Sequence, residues 1–163
     1  MMQHELWPAA GQRRWRVITD TVMGGVSQGT VELTEIEGRT AARMRGAVST
    51  ENNGGFIQIA MDLSPDGGAF DAGGYDGIAA ELFGNDQAYG LHLRTTDLLR
   101  PQQSYRHPFE APPRWQVLKF PFAAVTPHRT DMPFDPRRLR RVGLVAIGRE
   151  FDADLSVARL WLY

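Results

Sequence analysis

The sequence predicts an all-β sandwich, and three observations carry that reading. Short stretches rich in β-branched and aromatic residues recur along the whole chain. Clusters of Gly, Asn, Asp and Pro separate them at turn spacing. Helical periodicity is nearly absent, and no strand–helix–strand alternation appears. Nine or ten short strands with turns between them fit two packed antiparallel sheets. The 163 residues, 42% hydrophobic, are enough to bury one sizeable core.

Residues 15–19 open the series. Segments 30–36 and 40–49 flank a Glu37-Gly38 turn, and 56–63 follows the turn Asn52-Asn53-Gly54-Gly55. Segment 77–83 runs through Gly84-Asn85-Asp86 into 89–96 in the manner of a hairpin. Segments 103–109, 115–122, 141–147 and 155–163 complete the set. Within 89–96, Tyr89, Leu91, Leu93 and Thr95 form a core face. Gly90, His92, Arg94 and Thr96 form a polar face that lines a groove or meets solvent. Segment 115–122 has apolar groups on both faces, which predicts a central strand. One short helix is expected, with Asp135 as N-cap and Pro136 at its first position. Of 17 glycines, 15 precede residue 91, and eight of ten prolines follow residue 100. No linker divides the two halves, so the partition marks the turns of a single domain spanning residues 1–163.

Composition excludes several classes of function. Without cysteine there is no disulfide, thiolate nucleophile or cysteine-ligated metal. A formal charge of −1 argues against a polyanion-binding field over the whole molecule, and so against nucleic acid as the partner. No stretch approaches the ~18–20 apolar residues of a membrane span. The first 17 residues lack the apolar run of a signal peptide. The expectation is a cytoplasmic protein, or a domain trimmed from a targeted precursor. Of 18 basic residues only Lys119 is lysine, and the arginines are dispersed except at Arg137-Arg138-Leu139-Arg140-Arg141. That run reads as the solvated side of a helical turn, or else as a contact for nucleic acid or an acidic partner.

Catalytic patterns are weak. Gly25-Val26-Ser27-Gln28-Gly29 satisfies the bare Gly-x-Ser-x-Gly pattern, but a strand follows where a nucleophile elbow needs a helix. Gly24, Gly25 and Gly29 lack the lysine and helix of a phosphate loop. The four histidines are too far apart in sequence for a spaced metal-ligand pair, so no metal and no cofactor is expected. Asp62, Asp66, Asp71 and Asp76 sit in a Gly-rich segment that reads as a flexible surface loop or, less simply, as an oxygen-rich cation loop.

Two segments stand out: Asp20-Thr21-Val22-Met23-Gly24-Gly25-Val26-Ser27 and Ser49-Thr50-Glu51-Asn52-Asn53-Gly54-Gly55-Phe56. Each sets small polar groups beside a double glycine at a strand end, where backbone can approach a ligand or another backbone closely. Alternatively each is a tight corner, with Asp20 and Asn52 bonding their own turns. With Trp15 before them, and with YDGIAAELFGN, YGLHLRTT, WQVLKFPF and DPRRLRRVGLVAIG after them, they make the chain resemble the CIA30 family, relatives of the complex I intermediate-associated protein of 30 kDa. The resemblance runs from about Trp7 to Tyr163. It implies a galactose-binding-like jelly-roll sandwich and, for mitochondrial members, a non-catalytic chaperone role in assembling NADH:ubiquinone oxidoreductase.

Three functions are therefore carried forward. The first is a non-enzymatic interaction module for a protein partner, with respiratory complex I subunits or assembly factors as the family-borne case. Its edge would be shaped by Asp20, Gly24, Gly25, Ser27 and Gly55, with Met23 and Phe56 as apolar anchors. The second is a small-ligand or glycan-binding module using Tyr105, Trp115, Arg94, Asn52 and Asn53. The third is an enzyme acting through Asp20, Arg94 and His107.

Overall fold

The computed structural model describes residues 3–8 and 13–163. Among these, the strands are β1 (His4–Trp7), β2 (Arg16–Thr19), β3 (Gln28–Ile36), β4 (Arg39–Val48), β5 (Phe56–Asp62), β6 (Gly77–Phe83), β7 (Gln87–Thr95), β8 (Ser104–Ala111), β9 (Gln116–Pro121), β10 (Thr126–His128), β11 (Leu139–Ile147) and β12 (Phe151–Leu162). They form two antiparallel six-stranded sheets. The first runs β3-β4-β12-β6-β9, with β1 also paired to β12; the second runs β10-β8-β7-β11-β5-β2. This is an all-β jelly-roll sandwich. No α-helix occurs among the described residues, and no helix there is long and apolar enough to cross a membrane.

Alternation along the strands builds the core. In the second sheet Ile57, Ile59 and Met61 of β5 face inward beside Val142, Leu144 and Ala146 of β11, and Leu91 and Leu93 of β7 extend the row. Met44, Ile78, Leu82, Leu155, Val157 and Leu160 meet them from the first sheet, all essentially fully buried. Each such side chain contributes roughly 1.5–3 kcal/mol of burial. On the exterior of the second sheet the outward residues of β5, β7 and β11 mix polar and small groups (Gln58, His92, Arg94, Gly143) with apolar ones (Phe56, Val145, Ile147).

Several expectations change. Segments 77–83 and 89–96 are not a hairpin: β6 pairs with β12 and β9, whereas β7 pairs with β11 and β8. The link crosses between sheets because Gly84 and Asp86 donate their amides to Pro112 and Ala111 at the end of β8 (2.9 and 2.8 Å) instead of closing a turn. Strand β9 is an edge, not central, for it pairs with β6 alone. Its outward Val117 is 46% exposed, so apolar groups on both faces do not imply burial on both. The turn at Pro136–Arg138 is 3-10, capped as expected by Asp135, whose Oδ1 accepts from the Arg137 amide (3.0 Å). Strands β1 and β10, four and three residues long, are too short to announce themselves.

The acidic segment between β5 and β6 is tethered rather than loose. The Phe70 amide donates to the Leu139 carbonyl (2.7 Å) and Ala72 is buried. Asp66 and Asp71 accept from Gly68 and Gly73 in their own turns (2.8 Å each). Among the described residues no three His, Asp or Glu side chains converge as a metal would need.

Candidate functional site

The two double-glycine segments meet around one carboxylate. Asp20 opens a 3-10 turn, Asp20–Met23, that follows β2 and closes on Gly24 at φ 87°. Its side chain is fully buried. Oδ1 accepts from the Ser27 amide (2.9 Å); Oδ2 accepts from the Ser27 hydroxyl (2.5 Å) and from the Gly55 and Phe56 amides (2.5 and 3.3 Å). The Ser27 hydroxyl also accepts from the Ser49 amide (2.8 Å). A Cβ at Gly25 would stand 2.6 Å from Oδ1, and one at Gly54 would stand 2.5 Å from Oδ2. Both glycines are therefore walls of a cage around the carboxylate. Burial alone pushes the Asp20 carboxyl up, but the Ser27 hydroxyl and the Gly55, Ser27 and Phe56 amides outweigh it and hold it below the usual range. Asn52, at φ 56°, donates from Nδ2 to the Gly24 carbonyl (3.2 Å), tying the loops together again. The Asn53 side chain lies outside the described residues.

The joined loops form one end of a groove of about 1000 Å³ across the outer face of the second sheet. Val22, Met23, Gly55 and Phe56 line that end. Gln58 of β5, Gly143 and Val145 of β11, and His92 and Arg94 of β7 make the floor, with Ser104 and Arg106 of β8 and His128 of β10 beyond them. Strand register sets His92 beside Gly143 and Arg106, and Arg94 beside Arg141. Pairing shifts between Leu139 and Arg141, and this bulge brings Arg140 to the groove alongside Arg141. Five arginines thus line it (Arg94, Arg106, Arg129, Arg140 and Arg141), and no Asp or Glu does among the described residues. Burial, reinforced by Arg106 and His128, pushes the His92 imidazole down to about 3, so it is neutral near pH 7.

The arrangement separates the sequence-selected residues into three groups. Met23, Gly55, Phe56 and Arg94 line the groove, whereas Asp20 and Ser27 are buried behind it. Tyr105 and Trp115 lie elsewhere, so they supply no stacking platform beside Arg94. Tyr105 is wholly buried, with its hydroxyl donating to the Met132 carbonyl (2.8 Å). Trp115 precedes β9 of the other sheet, donating from Nε1 to the Ile36 carbonyl (3.0 Å) and packing edge-on against Phe83. His107 packs its ring on Phe120 in the core, on the opposite side of β8 from Arg106. Asp20, Arg94 and His107 therefore do not form a catalytic group. Arg94 itself donates to loop carbonyls at Arg100 and Gln103 (2.8 and 2.5 Å). The groove arginines that the sequence did not single out are Arg106 and Arg129, whereas Arg140 and Arg141 belong to the arginine run already noted as a solvated turn or a contact for nucleic acid or an acidic partner. Alternation of Ser104, Arg106 and Pro108 against Tyr105 and His107 would have revealed the first.

The family model described as Complex I intermediate-associated protein 30 (CIA30) matches residues 4–157. The chain belongs to the CIA30 family. No curated protein matches it in sequence. Among solved structures this CIA30 chain is similar to the family 11 carbohydrate-binding module of Clostridium thermocellum in complex with a β-1,3-1,4-mixed-linked tetrasaccharide. That match has 12% identity over 98% of this chain and 94% of that one, with a TM-score of 0.75. It is also similar to a family 30 carbohydrate-binding module, at 10% identity over 99% and 88%, with a TM-score of 0.70. An exo-β-agarase matches at 10% identity over 96% of this chain but only 24% of its own, with a TM-score of 0.57. At these identities the likeness is one of fold.

Proposed function

We propose that this CIA30-family chain is a non-enzymatic interaction module whose groove on the second sheet receives a segment of a protein partner. The observation that carries this is the groove's make-up: an arginine-rich floor bordered by Val22, Met23 and Leu99, which are 73%, 63% and 89% exposed. Arginine and methionine are favoured at protein interfaces, where exposed apolar side chains serve as anchors. Paired acid–base catalysis needs titratable partners within hydrogen-bond reach, and this groove offers two imidazoles, a neutral His92 and His128, with no carboxylate among its described lining residues. The family's description makes complex I subunits or assembly factors the first partners to test. A saccharide in the same groove is the second reading, supported by the fold shared with the family 11 module that holds a tetrasaccharide.

Photo-crosslinking groups placed at Met23 and Leu99 test the proposal in cells. Both positions should yield the same protein adduct, while a group at Leu33 on the first sheet, itself 71% exposed, should not. Absence of a protein adduct at both groove positions, with saturable oligosaccharide binding there, would overturn it in favour of the second reading.

A further inference from the structure

The arginines of this molecule fall into two populations. On the first sheet each of four has a carboxylate: Arg39 with Glu81, Arg43 with Asp154 (2.7 Å), Arg45 with Glu32 (2.7 Å) and Arg159 with Glu5. In the groove only Arg141 does, sharing Asp62 with Arg16 (2.8 and 3.3 Å). Arg106 donates from Nε to the Ser104 hydroxyl (2.9 Å), which leaves its terminal nitrogens facing the groove without an acid. The Nε of Arg140 is buried and has no acceptor among the described residues. Arg129, in the left-handed region at φ 58°, stands in the loop after β10 and lines the same space. These cations oppose one another: burial and then Arg141 and Arg140 push Arg94 down, and burial and then Arg129 push Arg106 down. Like charges gathered from β7, β8, β11 and a loop cost stability unless an anion offsets them.

Resting on the reading of the groove as a partner-binding site, we infer that the docked segment is acidic, its carboxylates held by Arg106, Arg129 and Arg140 while its apolar side chains meet Val22, Met23 and Leu99. Guanidinium–carboxylate pairing is short, directional and often bidentate. The apolar rim distinguishes this occupant from other polyanions. Sugar rings and nucleobases are held by stacking on broad aromatic faces, and no Trp or Tyr lines the groove among the described residues. Phe56 is its one phenyl ring.

A displayed library of random 12-residue peptides, selected on the intact chain, tests this. The enriched peptides should carry a clear excess of Asp and Glu interspersed with apolar residues, and hydrogen exchange should place them on β7, β8 and β11. Gln replacement of their acids should weaken binding at least tenfold, as should 0.5 M NaCl. The double variant Arg106→Gln/Arg140→Gln should do the same, with an unchanged circular dichroism spectrum as its folding check. Arg45→Gln on the first sheet should alter affinity less than twofold. Groove-bound peptides without acidic excess would overturn the charge inference and leave the docking proposal standing. If no peptide enters the groove while an oligoglucuronate or an oligonucleotide does, the protein-segment reading fails with it.

Discussion

The Asp20 cage and the groove it borders treat charge in opposite ways. In the cage one anion is fully buried and four donors from two segments, Ser27 and Gly55-Phe56, are spent on it. In the groove five guanidiniums share a surface, and among the described residues only Arg141 has a carboxylate partner, Asp62, which it shares with Arg16. The first arrangement is complete without a ligand and the second is not. The double-glycine motifs hold two loops together around Asp20, while the charge of the groove comes from arginines on β7, β8, β11 and the loop after β10.

The largest expected effect is at the cage. Asp20→Ala strips the acceptor from buried amides at Ser27, Gly55 and Phe56, each worth roughly 1–3 kcal/mol when left unpaired. A loss of about 3–5 kcal/mol in urea unfolding is expected, a large share of the roughly 5–15 kcal/mol of an ordinary domain. The pH dependence follows the sign of the shift. An unfolded aspartate protonates near 3.9 and the caged one lower, so its contribution is complete above about pH 4 and disappears as pH falls through the folded value. Asp20→Asn should be less stable at pH 7 and should lose that acid dependence. A variant as stable as the parent would break the comparison, since the cage would then not be what organises the loops.

Next comes His92, on the groove floor. The unfolded imidazole gains its proton near 6.5 and the folded one only near 3, so acid favours unfolding across that interval. Stability should fall by up to about 1.4 kcal/mol per pH unit below 6.5 on this account. His92→Gln should flatten the slope, as followed by thermal melts from pH 4 to 7. A slope unchanged by the substitution would mean that the imidazole is not held neutral by its burial beside Arg106 and His128.

Glycine substitutions grade the cage more finely. Gly54→Ala drives a Cβ into the Asp20 carboxylate at 2.5 Å and should cost roughly 1–3 kcal/mol. Gly24→Ala meets nothing within 4 Å and incurs only its φ of 87°, about 1 kcal/mol. Equal losses at the two sites in urea melts would show that backbone conformation, not the packed carboxylate, explains the double glycines.

Strands were legible because alternation is local: Leu91 and Leu93 read as core, and His92 and Arg94 as the other face, before any pairing was known. Pairing was not legible. The crossing at Gly84 and the edge position of β9 depend on partners far away in sequence, Ala111 and Pro112 for the one and β6 alone for the other. Asp20 and both glycine pairs could be singled out, but their polar character fitted a ligand site as well as a satisfied corner. Only the convergence of Ser27, Gly55 and Phe56 on one carboxylate decides between them. The arginine surface was legible only in pieces, as Arg94 and the Arg137–Arg141 run. Arg106 and Arg129 join Arg94 and Arg140 only when β7, β8 and β11 pair and the bulge after Leu139 brings Arg140 to the groove.

The smallest effect is the most direct test of the difference between paired and unpaired arginine. Arg43 donates from Nε and Nη2 to both oxygens of Asp154 (2.9 and 2.7 Å) at a half-exposed site, so Arg43→Ala should cost about 0.5–1 kcal/mol, less in high salt. Arg129→Ala removes a cation that has no carboxylate and that opposes Arg106. Alanine and arginine bear the same penalty at φ 58°, so the backbone does not confound the comparison. Its stability should change by less than about 0.5 kcal/mol, and in 20 mM NaCl the change should be a gain that vanishes at 500 mM. If Arg129→Ala destabilised the chain as much as Arg43→Ala, the groove arginines would already be neutralised within the fold, and the surface would have no charge left to offer an acidic partner.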